Sequence, residues 1–167
     1  NINNALVYYQ ATGGSSFGST NVIYVSLPDT SPVCANLALP TPPVGWSYSC
    51  KPTASYRNVN GTGWIPVDFT AVQGTVGTLL SSLPIDPVNT LSGDYYYTYI
   101  YGTWTLSATL ESVKYLASSA TNDGGCVSTR FEVGNDLALN YNITSGGVLS
   151  SAKAITAFSF ATPPSTV

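Results

Sequence analysis

The segment 94–111 constrains the fold most strongly, because its residues alternate as two strands around a tight turn. With the turn at residues 102 and 103, Tyr99 lies opposite Leu106 and both side chains point to one face. That face carries an apolar, ring-bearing set, namely Tyr95, Tyr97, Tyr99, Tyr101, Trp104, Leu106, Ala108 and Leu110. This alternation predicts an antiparallel hairpin whose ring-bearing face is buried.

The opposite face of this hairpin is more polar. It carries Tyr96, Thr98, Ile100, Thr105, Ser107, Thr109 and Glu111. We therefore expect this face to lie outward, with Tyr96 as its exposed ring. A sheet with one buried face needs a second layer to cover that face.

The N-terminal stretch is the candidate for this second layer. Ile2, Leu6 and Tyr9 recur at helical spacing, and the pattern stops at two glycines, residues 13 and 14. Further strand patterns occupy residues 21–26 and 45–50, and residues 130–139 fit a small strand followed by a turn. The sequence thus predicts an α+β, mostly β fold, in which a short N-terminal helix packs on the buried face of an antiparallel sheet with long loops.

A length of 167 residues fits one hydrophobic core. We assign residues 1–150 to a globular domain and residues 151–167 to a C-terminal strand and linker that could lead to a further domain. No stretch approaches the roughly 20 apolar residues of a membrane helix. Because the first residue is not Met, we interpret the chain as a mature or trimmed fragment, with any export signal or membrane anchor upstream of Asn1.

Charge is scarce, since 8% of the residues are charged and the net charge is -3. The 5 Lys and Arg residues form no basic patch, which argues against a nucleic-acid partner. Histidine is absent, which excludes Ser-His-Asp and Cys-His catalysis and His-ligated zinc. An acid pair drawn from Asp86, Asp94, Glu111 and Glu132 is the remaining catalytic option. We predict instead that the domain is not an enzyme.

Two of the 3 cysteines, Cys34 and Cys50, bracket a Pro-rich segment. We expect a disulfide between them, which would stabilise the fold by about 3 kcal/mol and indicates an oxidising compartment. The alternative is a pair of buried free thiols. Cys126 is then left over as a solvent-side thiol or an intermolecular linker, or as a sign that the pairing is wrong.

Calcium is the metal that suits the acids of this chain, because carboxylates and backbone carbonyls in loops are its usual ligands. The candidate ligands are Asp86, Asp94 and Asp123, although none lies in a DxDxDG ladder. Solvated acids in turns are the alternative. No cofactor is required by any motif.

Sugars are a further possible ligand, because the chain has 12 Tyr and 3 Trp residues whose rings present flat apolar faces. The pairing of the tyrosine hairpin assigns most of these rings to the core or to an interface instead. Asn60 and Asn142 each begin an Asn-X-Thr pattern for N-glycosylation, a short pattern that is frequent by chance.

The order of several motifs resembles the globular domain of type IV pilin-like proteins and type II secretion pseudopilins. These motifs are the helix end at Tyr8 and Tyr9, residues 58–69, the Pro-Ile-Asp-Pro segment 83–89, the tyrosine strand 95–99, residues 105–112, and Lys114 with Tyr115. The resemblance covers roughly residues 1 to 140. A second resemblance links residues 153–160 to the opening strand of immunoglobulin-like repeats in bacterial surface proteins.

The pilin-like resemblance implies a structural subunit, major or minor, of an extracellular or cell-surface filament, with a possible role in adhesion. Its partners would be other pilin subunits, and surface glycans are possible further ligands. Contact with the membrane would depend on a hydrophobic helix upstream of Asn1. Some pseudopilins carry calcium in a loop after the sheet, which by position would involve Asp86, Asp94 or Asp123. The alternative function is a carbohydrate-binding or adhesin module of a secreted surface protein.

Overall fold

The computed structural model describes residues 1–70, 79–125 and 129–137, which form a short N-terminal helix and a five-stranded mixed sheet. The helix α1 spans Ile2–Ala11, and the strands are β1 (Val22–Pro28), β2 (Ser47–Lys51), β3 (Tyr97–Ile100), β4 (Thr105–Thr109) and β5 (Arg130–Gly134). A 3₁₀ turn, Ser92–Asp94, precedes β3, and a helical turn α2 (Val113–Tyr115) runs into the π-helical turn Leu116–Ala120. The α+β, mostly β class is confirmed.

The strand order is β2-β1-β3-β4-β5. All neighbouring pairs are antiparallel except β1 and β2, which are parallel. The prediction of a purely antiparallel sheet is therefore wrong. A parallel pair needs a long crossover between its strands, and the connection from Pro28 to Ser47 supplies that crossover as the disulfide-closed loop.

The predicted register of the tyrosine hairpin is confirmed between β3 and β4, where Tyr97 pairs with Ala108 and Tyr99 with Leu106. Extended by two residues, the same register predicts Tyr95 opposite Leu110, and this prediction is wrong. Tyr95 forms an isolated bridge with Thr90 instead. The reason is local, because the 3₁₀ turn ends at Asp94 in a left-handed conformation with φ 59° and redirects the chain before β3 begins.

Helix α1 lies on the ring-bearing face of the sheet, as the alternation of residues 94–111 predicts. Its buried residues are Ile2, Ala5, Leu6 and Tyr9. They belong to one core cluster with Tyr99, Trp104 and Leu106, completed by Trp64, Ile65 and Phe69 from the segment between β2 and β3. Of the helices in the described ranges, none has the length and hydropathy that a membrane span requires.

The opposite face of the sheet is also buried, so the prediction that Tyr96 is exposed is wrong. Tyr96 is 0% exposed and Ile100 is 1% exposed. They pack in a second core cluster beneath the disulfide-closed loop, whose Leu37, Leu39 and Trp46 cover this face. The domain therefore has three layers, in the order α1, sheet and loop.

Several predictions concern residues outside the described ranges. They are the C-terminal strand and linker at 151–167, the environment of Cys126, and the glycosylation pattern at Asn142. These remain predictions.

Candidate functional site

The rings under α1 are fixed by specific hydrogen bonds as well as by packing. The Tyr99 hydroxyl donates to the backbone oxygen of Phe17 at 2.8 Å, and Trp104 Nε1 donates to Asn3 Oδ1 on α1 at 3.0 Å. Burial raises the pKa of Tyr99 above its usual value. Trp104 is thus bonded to α1 itself and Tyr99 to the segment that follows α1, and both rings are buried.

An open apolar groove of about 490 Å³ lies next to the N-terminal end of α1, on the same face of the sheet. Its lining combines the helix start with side chains of β3, β4 and β5, including Ile2, Tyr97, Leu106, Ala108, Leu110, Phe131 and Val133. A smaller hollow shares Leu110 and Phe131 and extends to the exposed Tyr115. The ring-bearing face is thus covered by α1 in part and open beside it.

Arg130 forms the polar centre of the opposite face, where it is 2% exposed. Its guanidinium donates to Ser107 Oγ at 3.1 Å, to Thr109 Oγ1 at 3.0 Å and to the backbone oxygen of Tyr96 at 3.1 Å. It also lies 5.5 Å from the centroid of the Tyr96 ring, within cation–π range. Because these partners belong to β4 and to the residue preceding β3, Arg130 ties the edge strand β5 to the interior of the sheet.

Two tyrosine hydroxyls in this second core, those of Tyr48 and Tyr96, are buried and have no hydrogen-bond partner among the described residues. Burial raises the pKa of Tyr48 to about 12. It also raises the pKa of Tyr96, where the nearby Arg130 acts in the opposite direction. The phenols are therefore held in their neutral form.

The predicted disulfide is present between Cys34 and Cys50, whose Cα atoms lie 5.2 Å apart. The loop that it closes is further braced by Asp29, which follows β1. Asp29 Oδ1 accepts from Asn36 Nδ2 at 2.7 Å, and Asp29 Oδ2 accepts from Asn36 N at 3.0 Å. The hydrogen bond from the Asn36 side chain is the main reason why the pKa of Asp29 is lowered.

In two of the three calcium candidates, Asp86 and Asp123, carboxylate oxygens accept hydrogen bonds from backbone N–H groups. Asp86 Oδ1 accepts from the N–H groups of Val88 at 2.9 Å and Asn89 at 3.3 Å. Asp123 accepts from Gly125 N at 2.8 Å through Oδ1 and from Glu132 N at 2.7 Å through Oδ2. The bonds to Asp86 and the bond from Gly125 close local turns, whereas the bond from Glu132 joins the turn at Asp123 to β5.

The third candidate, Asp94, lies at the end of the 3₁₀ turn and interacts electrostatically with Tyr96 and Arg130. Within residues 1–70, 79–125 and 129–137, no group of three or more His, Cys, Asp or Glu side chains could hold a metal ion. A calcium site at these acids stays a prediction. Of the other acids considered for catalysis, Glu111 is exposed after β4, whereas Glu132 is buried in β5.

Comparison with protein-family models, with curated proteins and with solved structures finds no match for this chain.

Sequence reasoning missed two polar centres of the fold. The hydrogen-bonded pair of Asp29 and Asn36 had a weak local signal, because an acid directly after Pro28 at the end of a strand is typical of a turn. Arg130 had none, because a charged residue at the start of a strand is normally expected at the surface. Its burial depends on hydroxyl and carbonyl partners that only the tertiary fold brings together.

Proposed function

We propose that this domain is a structural subunit, major or minor, of an extracellular filament of the type IV pilin or pseudopilin class. The observation that supports this proposal is the position of α1, whose buried face packs on Tyr99, Trp104 and Leu106 of the sheet. A helix laid along an antiparallel pair of strands is the arrangement that the pilin-like resemblance implies for this part of the chain. The disulfide supports an extracellular location, since such bonds persist in oxidising compartments.

The outer face of α1 is the surface that such a filament would use. Val7 lies on this face and is 49% exposed, between the exposed polar residues Asn4 and Gln10. In a filament of the proposed class, neighbouring subunits pack around their N-terminal helices. A charge at Val7 would then be buried without a partner in the assembly, although it is tolerated in the free subunit.

The test compares Val7→Lys with Val44→Lys in the full-length gene product, expressed with its assembly machinery. Val44 is fully exposed in the loop on the opposite side of the sheet and provides a control with the same chemical change. We expect Val7→Lys to abolish or strongly reduce surface filaments in electron micrographs, and Val44→Lys to leave them intact. Thermal unfolding of the soluble domain should be nearly unchanged by either substitution.

Wild-type protein that never forms filaments, or filaments that are equally abundant in both variants, would contradict the proposal. The upstream gene sequence gives an independent check. A basic leader and an apolar segment of roughly 20 residues before Asn1 are expected, whereas an ordinary secretion signal would favour a secreted module.

A carbohydrate-binding module is the second candidate, and the open groove beside α1 favours it. The groove presents the half-buried rings of Tyr97 and Phe131 next to polar groups of Asn1 and Asn3, a combination that suits a sugar. This candidate predicts glycan-array binding by the isolated domain and its loss in Tyr97→Ala. An array without hits would contradict the carbohydrate-binding candidate and would have no bearing on the filament proposal.

A further inference from the structure

The turn that begins at Asn60 is an exposed, well-anchored projection from the first core cluster. Asn60 forms an antiparallel bridge with Asp68, and Phe69 N donates to the backbone oxygen of Val59 at 2.8 Å. Trp64, close behind the turn, is 0% exposed. The side chains of Asn60 and Thr62 are nevertheless exposed. The turn therefore presents a fixed conformation to the solvent.

Hydrogen bonds within the turn hold the Asn60 amide by its oxygen. Asn60 Oδ1 accepts from Thr62 Oγ1 at 2.7 Å and from Thr62 N at 3.3 Å. Asn58 Nδ2 in turn donates to Thr62 Oγ1 at 2.9 Å. The Asn60 Nδ2 group has no hydrogen-bond partner among the described residues. The amide nitrogen is therefore left for a reaction partner, while the threonine hydroxyl beside it remains at the surface.

Gly61 leaves space around this amide. Its φ is +83°, in the left-handed region that favours glycine, and the atom nearest to a side chain built at this position would be Asp68 Cβ at 3.7 Å. No bulky side chain stands between Asn60 and Thr62. An enzyme that must contact both residues meets an open surface.

We propose that Asn60 is an N-glycosylation site, with a polyprenyl-diphosphate-linked oligosaccharide as the donor substrate. In this transfer, Asn60 Nδ2 forms a bond to the anomeric carbon of the donor sugar, and the bond from that carbon to the diphosphate oxygen breaks. The diphosphate leaves with the electron pair, and the amide proton passes to a base of the transferase. The disulfide is typical of exported proteins, and export routes are where this modification takes place.

Asn58 provides a control within the same turn. It is as exposed as Asn60, but the residue two positions later is Asn60 itself rather than Ser or Thr. Of these two residues, the acceptor pattern therefore selects only Asn60. A modification driven only by exposure would not distinguish the two residues.

The test uses the chain secreted from a host that carries N-glycosylation machinery, together with a co-secreted reference glycoprotein. All forms carry Asn142→Gln, which removes the second acceptor pattern, and the form without a further substitution serves as the wild-type reference. Wild-type, Thr62→Ser and Thr62→Ala forms are treated with peptide N-glycosidase in heavy-oxygen water, and the label is assigned by peptide mass spectrometry. We expect labelled Asp at position 60 in wild type and Thr62→Ser, no label at Asn58, and loss of the label and of the glycan mass in Thr62→Ala.

Two results would overturn the proposal. One is an unmodified Asn60 in a sample whose reference glycoprotein is fully glycosylated. The other is equal labelling in wild type and Thr62→Ala without any glycan mass, which would identify spontaneous deamidation of the Asn60–Gly61 pair. Because Thr62 is exposed, its substitution should leave the fold intact, and thermal unfolding of each variant verifies this.

Discussion

At the scale of single residues, the two fully buried tyrosines near the start of the hairpin differ in what their hydroxyl groups contact. The Tyr99 hydroxyl donates to the Phe17 carbonyl at 2.8 Å, whereas the Tyr96 hydroxyl has no partner among the described residues. We predict that Tyr99→Phe lowers the free energy of unfolding by about 1–3 kcal/mol, because it leaves a buried carbonyl unpaired. Tyr96→Phe should be neutral or slightly stabilising. Urea unfolding measures both, and an equal loss in Tyr96→Phe would reveal a bonded hydroxyl, such as one paired with buried water.

Burial of the tyrosine hydroxyls also leads us to predict that the folded state loses stability at high pH. Burial raises the pKa of Tyr48 to about 12, and it raises the pKa of Tyr96 and Tyr99 as well. A phenol whose pKa is higher in the folded state contributes stability below its unfolded pKa of about 10 and loses that contribution as the pH rises further. The free energy of unfolding should therefore fall steadily above about pH 10. Tyr48→Phe should show a shallower fall, and identical slopes for wild type and variant would refute this prediction.

The alternation of single residues predicted the hairpin register but not the burial of both faces. The pairing positions of Tyr97, Tyr99 and Leu106 were predicted correctly, because a side-chain period of two fixes which residues share a face. Tyr96 was misassigned because alternation does not show whether a second layer covers the other face. That layer depends on a loop closed by Cys34 and Cys50, whose position over the sheet is a property of the tertiary fold.

At the scale of the elements, the stability of the first core depends on one face of α1. Leu6 is 0% exposed in this core, and its neighbour Val7 is 49% exposed. We predict that Leu6→Ala lowers the free energy of unfolding by about 2–5 kcal/mol, because it removes packed methyl groups and leaves a cavity. Val7→Ala should change it by less than about 0.5 kcal/mol. Similar losses for both variants in urea unfolding would mean that α1 does not lie on the sheet in this orientation.

The elements themselves were largely predictable, whereas one of their pairings was not. α1, β1 and β2 appear close to where periodicity and strand-forming residues placed them. The parallel pairing of β1 with β2 carries no signal in local sequence, because it depends on how the connection between them crosses over. The apolar groove was not predicted for a similar reason, since its lining comes from α1 and three strands distant in sequence.

At the scale of the whole molecule, the order of the layers gives the proposed subunit two distinct outer surfaces. One is the outer face of α1 with Val7, and the other is the disulfide-closed loop with the fully exposed Val44. A filament of the proposed class orients these surfaces oppositely, with α1 towards the filament axis and the loop towards solvent. Only the assembled filament would show this orientation. Measurements of the stability of the free domain do not test it.

Electron cryomicroscopy of filaments sheared from cells that express the full-length gene product tests this account most directly. We predict a helical reconstruction in which the three-layered domain repeats, α1 faces the axis, and the loop joined by Cys34 and Cys50 lies on the outer surface. Preparations that contain the protein only as dispersed monomers, or a reconstruction with the loop at the axis and α1 facing solvent, would contradict the proposed function.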